Sequence, residues 1–118
     1  MRESPIFSRT YDLTRWILQA TEHFPRSQRF VLAQRLQSAT FDLHEALLAA
    51  GLSARGRQTE YLDRADVELA KVRLYLRLAL DMQWLSMGQY EHASRMADEI
   101  GRLLGGWRRH DREPSPTP

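Results

Sequence analysis

The chain has no cysteine, which excludes disulfides, thiolate zinc sites and cysteine nucleophiles. Only one of its seventeen basic residues, Lys71, is a lysine. A nucleotide-binding phosphate loop needs a lysine behind a run of glycines, and Lys71 lies in a glycine-free stretch. The longest apolar run, around Ala46–Ala50, is far short of the ~20 residues that span a bilayer. The N-terminus lacks the apolar core of a secretory signal, so no membrane association is expected and the cytoplasm is the expected location. The residues three before His23, His44, His92 and His110 are Ala20, Phe41, Gln89 and Trp107. None is a carboxylate, so the Glu-x-x-His pattern of di-iron bundles is missing, as is the His-Glu-x-x-His zinc pattern. No strand-turn elbow presents a serine, and Asp63/Asp66, Asp42/Glu45 and Asp98/Glu99 read as solvated helix faces or arginine partners. No metal, cofactor or enzymatic activity is expected.

What is present is ordinary for one globular domain: 118 residues, 42% apolar and 27% charged. Glycine and proline fall in a few places and cut the chain into four helical segments. Ser4-Pro5 reads as an N-cap and first turn, followed by Ile6, Leu13, Ile17, Ala20 and Phe24 on one face, with Trp16 beside them. Pro25 ends that segment. The second starts at Pro25 or Ser27 and ends near Gly51, with Leu32, Leu36, Ala39, Leu43, Leu47 and Ala50 recurring at helical spacing. Phe30, Val31 and Phe41 widen its stripe. A polar loop follows, in which Arg55 and Arg57 flank Gly56.

The third segment, about Thr59 to Trp84, carries Leu62, Ala65, Leu69, Val72, Leu76 and Ala79 in a heptad-like seam. Leu74, Leu76, Leu78 and Leu80 alternate as in a strand, but twenty residues without a turn signal, rich in Ala, Leu, Arg and Glu, favour helix. Ser86 and Gln89 have capping-box spacing before a fourth helix with Tyr90, Ala93, Ala97, Ile100, Leu104 and Trp107 on one face. The expectation is an all-α, up-down-up-down four-helix bundle over residues 1–107. A disordered, charged and proline-rich tail is expected over 108–118.

On the third helix Val67, Leu74 and Leu78 point away from the seam. They either widen a generous core or form a subunit interface, and the second reading predicts a homo-oligomer. Net charge is +2. Arginine's planar fork suits phosphate and carboxylate alike, and a GC-rich genome also supplies arginine, so composition permits nucleic-acid binding without requiring it. Arg73 and Arg77 stack one turn apart on the flank of the seam. They can meet a phosphate backbone, or pair with Asp66, Asp81 or an acid on another helix. Further arginines gather at the first helix–helix corner (Arg26, Arg29, Arg35) and near the end of the fourth helix (Arg102, Arg108, Arg109, Arg112). Of the three tryptophans, Trp84 is the candidate for base stacking; Trp107 continues the fourth seam and reads as core.

The segments FPRSQRF at Phe24–Phe30, LYLRL at Leu74–Leu78 and EIGRLLGGW at Glu99–Trp107 are more specific than heptads. They resemble the accessory variability determinants of diversity-generating retroelements. These belong to a wider four-helix-bundle family that includes proteins encoded by intervening sequences of bacterial 23S ribosomal RNA genes. The resemblance covers about residues 5–107. It implies a barrel-like homopentamer with a positive surface, associated with the retroelement reverse transcriptase and template-repeat RNA, binding nucleic acid, RNA and DNA alike, without sequence preference and assisting error-prone cDNA synthesis. It places Arg73 and Arg77 on the family's basic pair. The alternative is a structural bundle relative with no retroelement role.

Overall fold

Four helices account for most of the computed structural model, which describes residues 4–113. They are α1 (Pro5–Thr21), α2 (Gln34–Gly51), α3 (Thr59–Asp81) and α4 (Met87–Arg112). Each packs against the next, and α4 returns to α1. The short connections make neighbours antiparallel, giving the expected all-α four-helix bundle, 58 Å long and about 24 Å across. Among the described residues no helix is long and apolar enough to cross a membrane.

The core follows the apolar periodicity. Leu13, Leu43, Val72 and Ile100, one from each helix, are fully buried. Small residues at the contacts, including Ala65, Ala79, Ala93 and Ala97, let the backbones approach closely. Between the apolar positions of α1, Thr10, Thr14 and Thr21 are also buried. Each hydroxyl donates to the carbonyl four residues earlier, at 2.7 to 2.8 Å. Thr40 does the same to Leu36 at 2.7 Å. A threonine that satisfies its own hydroxyl this way packs as a small apolar side chain.

The helix ends are chemically specified. Pro5 starts α1, and α4 begins with a complete capping box in which the Ser86 hydroxyl accepts from Gln89 N and Gln89 Oε1 accepts from Ser86 N. The chain leaves α3 through Gln83 in the left-handed region (φ 66), so that Trp84 N and Leu85 N both reach the Ala79 carbonyl.

Two boundaries differ from the sequence expectation. Between Pro25 and α2 the chain makes a 3₁₀ turn, Arg26–Gln28, and a π-helical turn, Arg29–Ala33. The wider π turn offsets the helical register, leaving Phe30 80% and Val31 54% exposed, and Phe41 is exposed too. They do not widen the core stripe. The second difference is at the C-terminus. α4 runs to Arg112, so 108–112 belong to the bundle and not to a disordered tail; residues 114–118 lie outside the described part. The reason is Asp111, which is buried and fastened to the start of α3.

Candidate nucleic-acid interface

The six arginine candidates do not form one patch. Arg26 and Arg29 are exposed beside a shallow groove at the end of the bundle where α1 meets the π turn. Arg108 lies near the opposite end. Its guanidinium bridges Asp63 at 2.7 Å and Asp66 at 3.2 Å and is only 30% exposed, which ties α4 to α3. Arg73 crosses from α3 to α4, donating to Asp98 Oδ1 at 2.7 Å and to the Ala97 carbonyl at 3.3 Å. The crossing passes close over Gly101, where a Cβ would stand 3.2 Å from Arg73 Nη2. Arg77 pairs along its own helix with Asp81 at 3.1 Å, and that hydrogen bond raises its already high pKa further. Arg73 and Arg77 thus each hold a carboxylate partner, the second of the two arrangements their spacing allowed. The pairs are surface-exposed, so each contributes little to stability.

Arg102 is different. It is exposed and has no ion-pair partner among the described residues. Arg95 and Arg109 share that property and are spaced seven residues either side of it. On a helix these three fall within about 40° of one another, about 10.5 Å apart along the axis, and the buried residues Ala93, Ala97, Ile100 and Leu104 occupy the other side. The Arg109 guanidinium folds back over Gly105 and Gly106, within 3.6 to 3.8 Å of where their Cβ atoms would be. Asp98 and Glu99, which flank the row, are engaged elsewhere, by Arg73 and by Arg9 at 2.6 Å, while Glu91, one turn before Arg95, is exposed and in no ion pair among the described residues. α4 therefore presents an outward row of three cations that hold no ion-pair partner among the described residues. The repeat was legible in the sequence as Arg at i, i+7 and i+14, with Arg95 its overlooked member.

The tryptophans are less available for stacking. Trp84 is half-buried against Phe24, ring centroids 5.9 Å apart, and Trp16 tilts against His92 at 5.8 Å. Trp107 meets Phe7 edge-on at 6.0 Å and donates to Gln58 Oε1 at 3.0 Å. Burial lowers the pKa of His44, with Glu45 opposing. Among the described residues no group of three or more His, Asp or Glu side chains is placed to hold a metal.

Besides Phe30, Val31 and Phe41, apolar side chains are exposed on α3 and between α1 and α2. Val67, Leu74 and Leu78 stand on α3 at 56%, 55% and 42% exposure, opposite the seam. Tyr11 of α1 with Leu48 of α2 and Leu52 just beyond it line an open groove of about 490 Å³. Neither surface is covered by other described residues.

The sequence profile of the bAvd-like family matches residues 6–110, nearly the whole bundle. The chain belongs to the bAvd-like family. Among solved structures it is similar to a protein of unknown function from the S23 ribosomal protein family of Bacteroides thetaiotaomicron, with a TM-score of 0.79 at 17% identity. That match covers 87% of this chain and 97% of the other, and at such identity it shows a shared fold. No curated protein sequence matches this one. Neither the family nor the structural neighbour is an enzyme family by name, and the bAvd-like membership agrees with the resemblance carried by the three sequence segments.

Proposed function

We propose that this protein is a non-catalytic accessory protein of a diversity-generating retroelement, a cytoplasmic scaffold that binds template RNA without sequence preference and associates with the reverse transcriptase. Membership of the bAvd-like family supports the retroelement setting. The single observation that carries RNA binding is the outward row Arg95, Arg102, Arg109 on α4, free of carboxylate partners among the described residues. Phosphates supply the counter-charge that the protein itself withholds there, and contacts to a backbone position nucleic acid without reading its bases. Arg73 and Arg77 flank the row from α3, with Arg26, Arg29 and Arg108 as more distant contacts; those already paired contribute to the field more than to direct contact.

The scaffold is proposed to be a homo-oligomer, a pentameric barrel. A closed ring requires two different surfaces on each subunit, one for each neighbour, and two of the exposed apolar surfaces are candidates: Val67, Leu74 and Leu78 on α3, and the groove between α1 and α2. A modest net charge of +2 per chain multiplies with the number of copies.

The test is RNA binding by fluorescence anisotropy across a salt series. Changing Arg95, Arg102 and Arg109 together to Ala is expected to flatten the log-affinity against log-salt slope by about 2 for single-stranded RNA. An unchanged slope in a folded variant would remove α4 from the interface, and absence of RNA binding by the unaltered protein would remove the reading altogether.

A further inference from the structure

The α2–α3 connection is held more firmly than a link between two helices requires. Gly56, at φ 90, turns its N–H onto Asp111 Oδ1 at 2.9 Å, and the Thr59 hydroxyl donates to Asp111 Oδ2 at 2.6 Å. Gln58 donates to the carbonyls of Ala50 at 2.8 Å and Ser53 at 3.2 Å while accepting from the Trp107 indole. Both faces of the connection are thereby tied, one to α2 and one to the last turns of α4. On this rigid segment stand Arg55 and Arg57, both exposed and, among the described residues, without an ion-pair partner. The Arg55 guanidinium lies at the end of α4, where it donates to the His110 carbonyl at 3.4 Å, one residue beyond Arg109.

We propose that the α2–α3 loop is a second contact for RNA phosphates, continuous with the arginine row of α4, and that Asp111 is the residue that positions it. The inference rests on the RNA-binding reading above and adds to it a direction: RNA runs along α4 toward the end of the bundle and meets Arg55 and Arg57 there. Asp111 forms no ion pair with either arginine, since its two oxygens accept from Gly56 and Thr59, although its charge acts on Arg55 through space. Fixing the loop before binding removes the ordering cost that a mobile arginine loop would incur on meeting a phosphate.

Charge arithmetic makes the role of Asp111 separable from simple electrostatics. Asp111→Asn removes a negative charge, so attraction alone predicts tighter RNA binding. Positioning predicts the opposite, since the loop loses a charge-assisted anchor and its arginines disperse. Binding of a short fluorescein-labelled single-stranded RNA to the full chain is measured by anisotropy over a salt series, with helix content and thermal midpoint recorded for every variant. Arg55→Ala/Arg57→Ala is expected to keep the wild-type midpoint and lower the log–log salt slope by about 1.4, or about 0.7 for each phosphate contact on a single strand. Asp111→Asn, measured below its midpoint, is expected to bind more weakly than wild type, and Asp111→Glu to recover part of the loss. If Asp111→Asn does not fold, the double arginine variant decides alone. A wild-type slope in that variant, while the α4 triple variant still loses slope, overturns the loop contact and leaves the α4 reading standing. Tighter binding by folded Asp111→Asn overturns the positioning role. No binding by wild type overturns both readings.

Discussion

Thr59 donates its hydroxyl hydrogen to Asp111 Oδ2 at 2.6 Å, joining the first residue of α3 to the last turn of α4 across 52 positions. α3 has no side-chain cap of its own, and a carboxylate placed at a helix N-terminus favours that end electrostatically. The Thr59 hydrogen bond, then that from Gly56 N, holds the Asp111 pKa below its usual range. A carboxyl with a depressed folded-state pKa contributes stability above its unfolded value, about 3.9, and loses it as pH falls through the folded value. The thermal midpoint of wild type is therefore expected to exceed that of Asp111→Asn by a constant margin from neutral pH down to about 5, the margin closing at lower pH. A margin that persists unchanged through the acid range, read by circular dichroism, would show that the carboxylate's charge is not what matters.

Gly101 lies where Arg73 crosses to α4. Alanine there would put a methyl group 3.2 Å from Arg73 Nη2 and 3.6 Å from Leu69. The guanidinium is the end of a flexible, half-exposed side chain and can give way, while alanine favours the helix over glycine by about 1 kcal/mol. Gly101→Ala is expected to be neutral to slightly stabilising, by up to about 1 kcal/mol, in urea unfolding. A loss of that size would mean that the Arg73 contacts to Ala97 and Asp98 hold the helices together more than their exposure implies.

Gln83 is the one described non-glycine residue at positive φ. The left-handed conformation costs an L-residue about 1–2 kcal/mol, and glycine avoids most of it at some entropic cost in the unfolded chain. Gln83→Gly is expected to raise stability by up to about 1 kcal/mol. Destabilisation in the same assay would show that the Gln83 side chain makes a compensating contribution.

Glu68 is buried on α3, with Lys71 3.3 Å from Oε2 and no partner for Oε1. A buried charge that is only half satisfied is poor value for stability, and apolar replacements of similar volume are often neutral or better. Glu68→Met is expected to match or exceed wild type by about 1 kcal/mol, since Lys71 is half-exposed and free to turn to solvent. A loss above about 1 kcal/mol would assign Glu68 a structural role beyond its visible partners.

Leu74 is 55% exposed within the chain, so a charge there disturbs the monomer little, within about 0.5 kcal/mol. In an oligomer that covers the α3 stripe the same charge is desolvated. Leu74→Glu is expected to retain helix content and shift the protein to monomer in light scattering. An unaltered mass would exclude this stripe from the subunit contact.

Much of this molecule was written locally. The seams of α1, α3 and α4 and the Ser86 capping box follow from 3.6-residue periodicity and short-range hydrogen bonding, both of which a linear sequence displays. The π turn was not legible, because one extra residue in a helical turn leaves no compositional mark, and it moved Phe30 and Val31 from the expected core to the surface. The end of α4 was misjudged for a related reason. Arg108 to Arg112 look like a solvated charged run until the partners of Arg108 and Asp111 are known, and those partners, Asp63, Asp66, Gly56 and Thr59, lie far back in the chain on α3 and its lead-in.

The same division applies to the arginines. Sequence by itself determined how many there are, which helix face each occupies and that Arg73 and Arg77 share a flank, because side-chain direction on a helix is a function of position alone. Only the tertiary structure decided which of them are spoken for. Arg73 and Arg108 found carboxylates on neighbouring helices, and Asp98 and Glu99 were drawn to other arginines, leaving the α4 row exposed and, among the described residues, without ion-pair partners. Pairing across helices depends on how the helices are set against one another, and that setting is a property of the packed core.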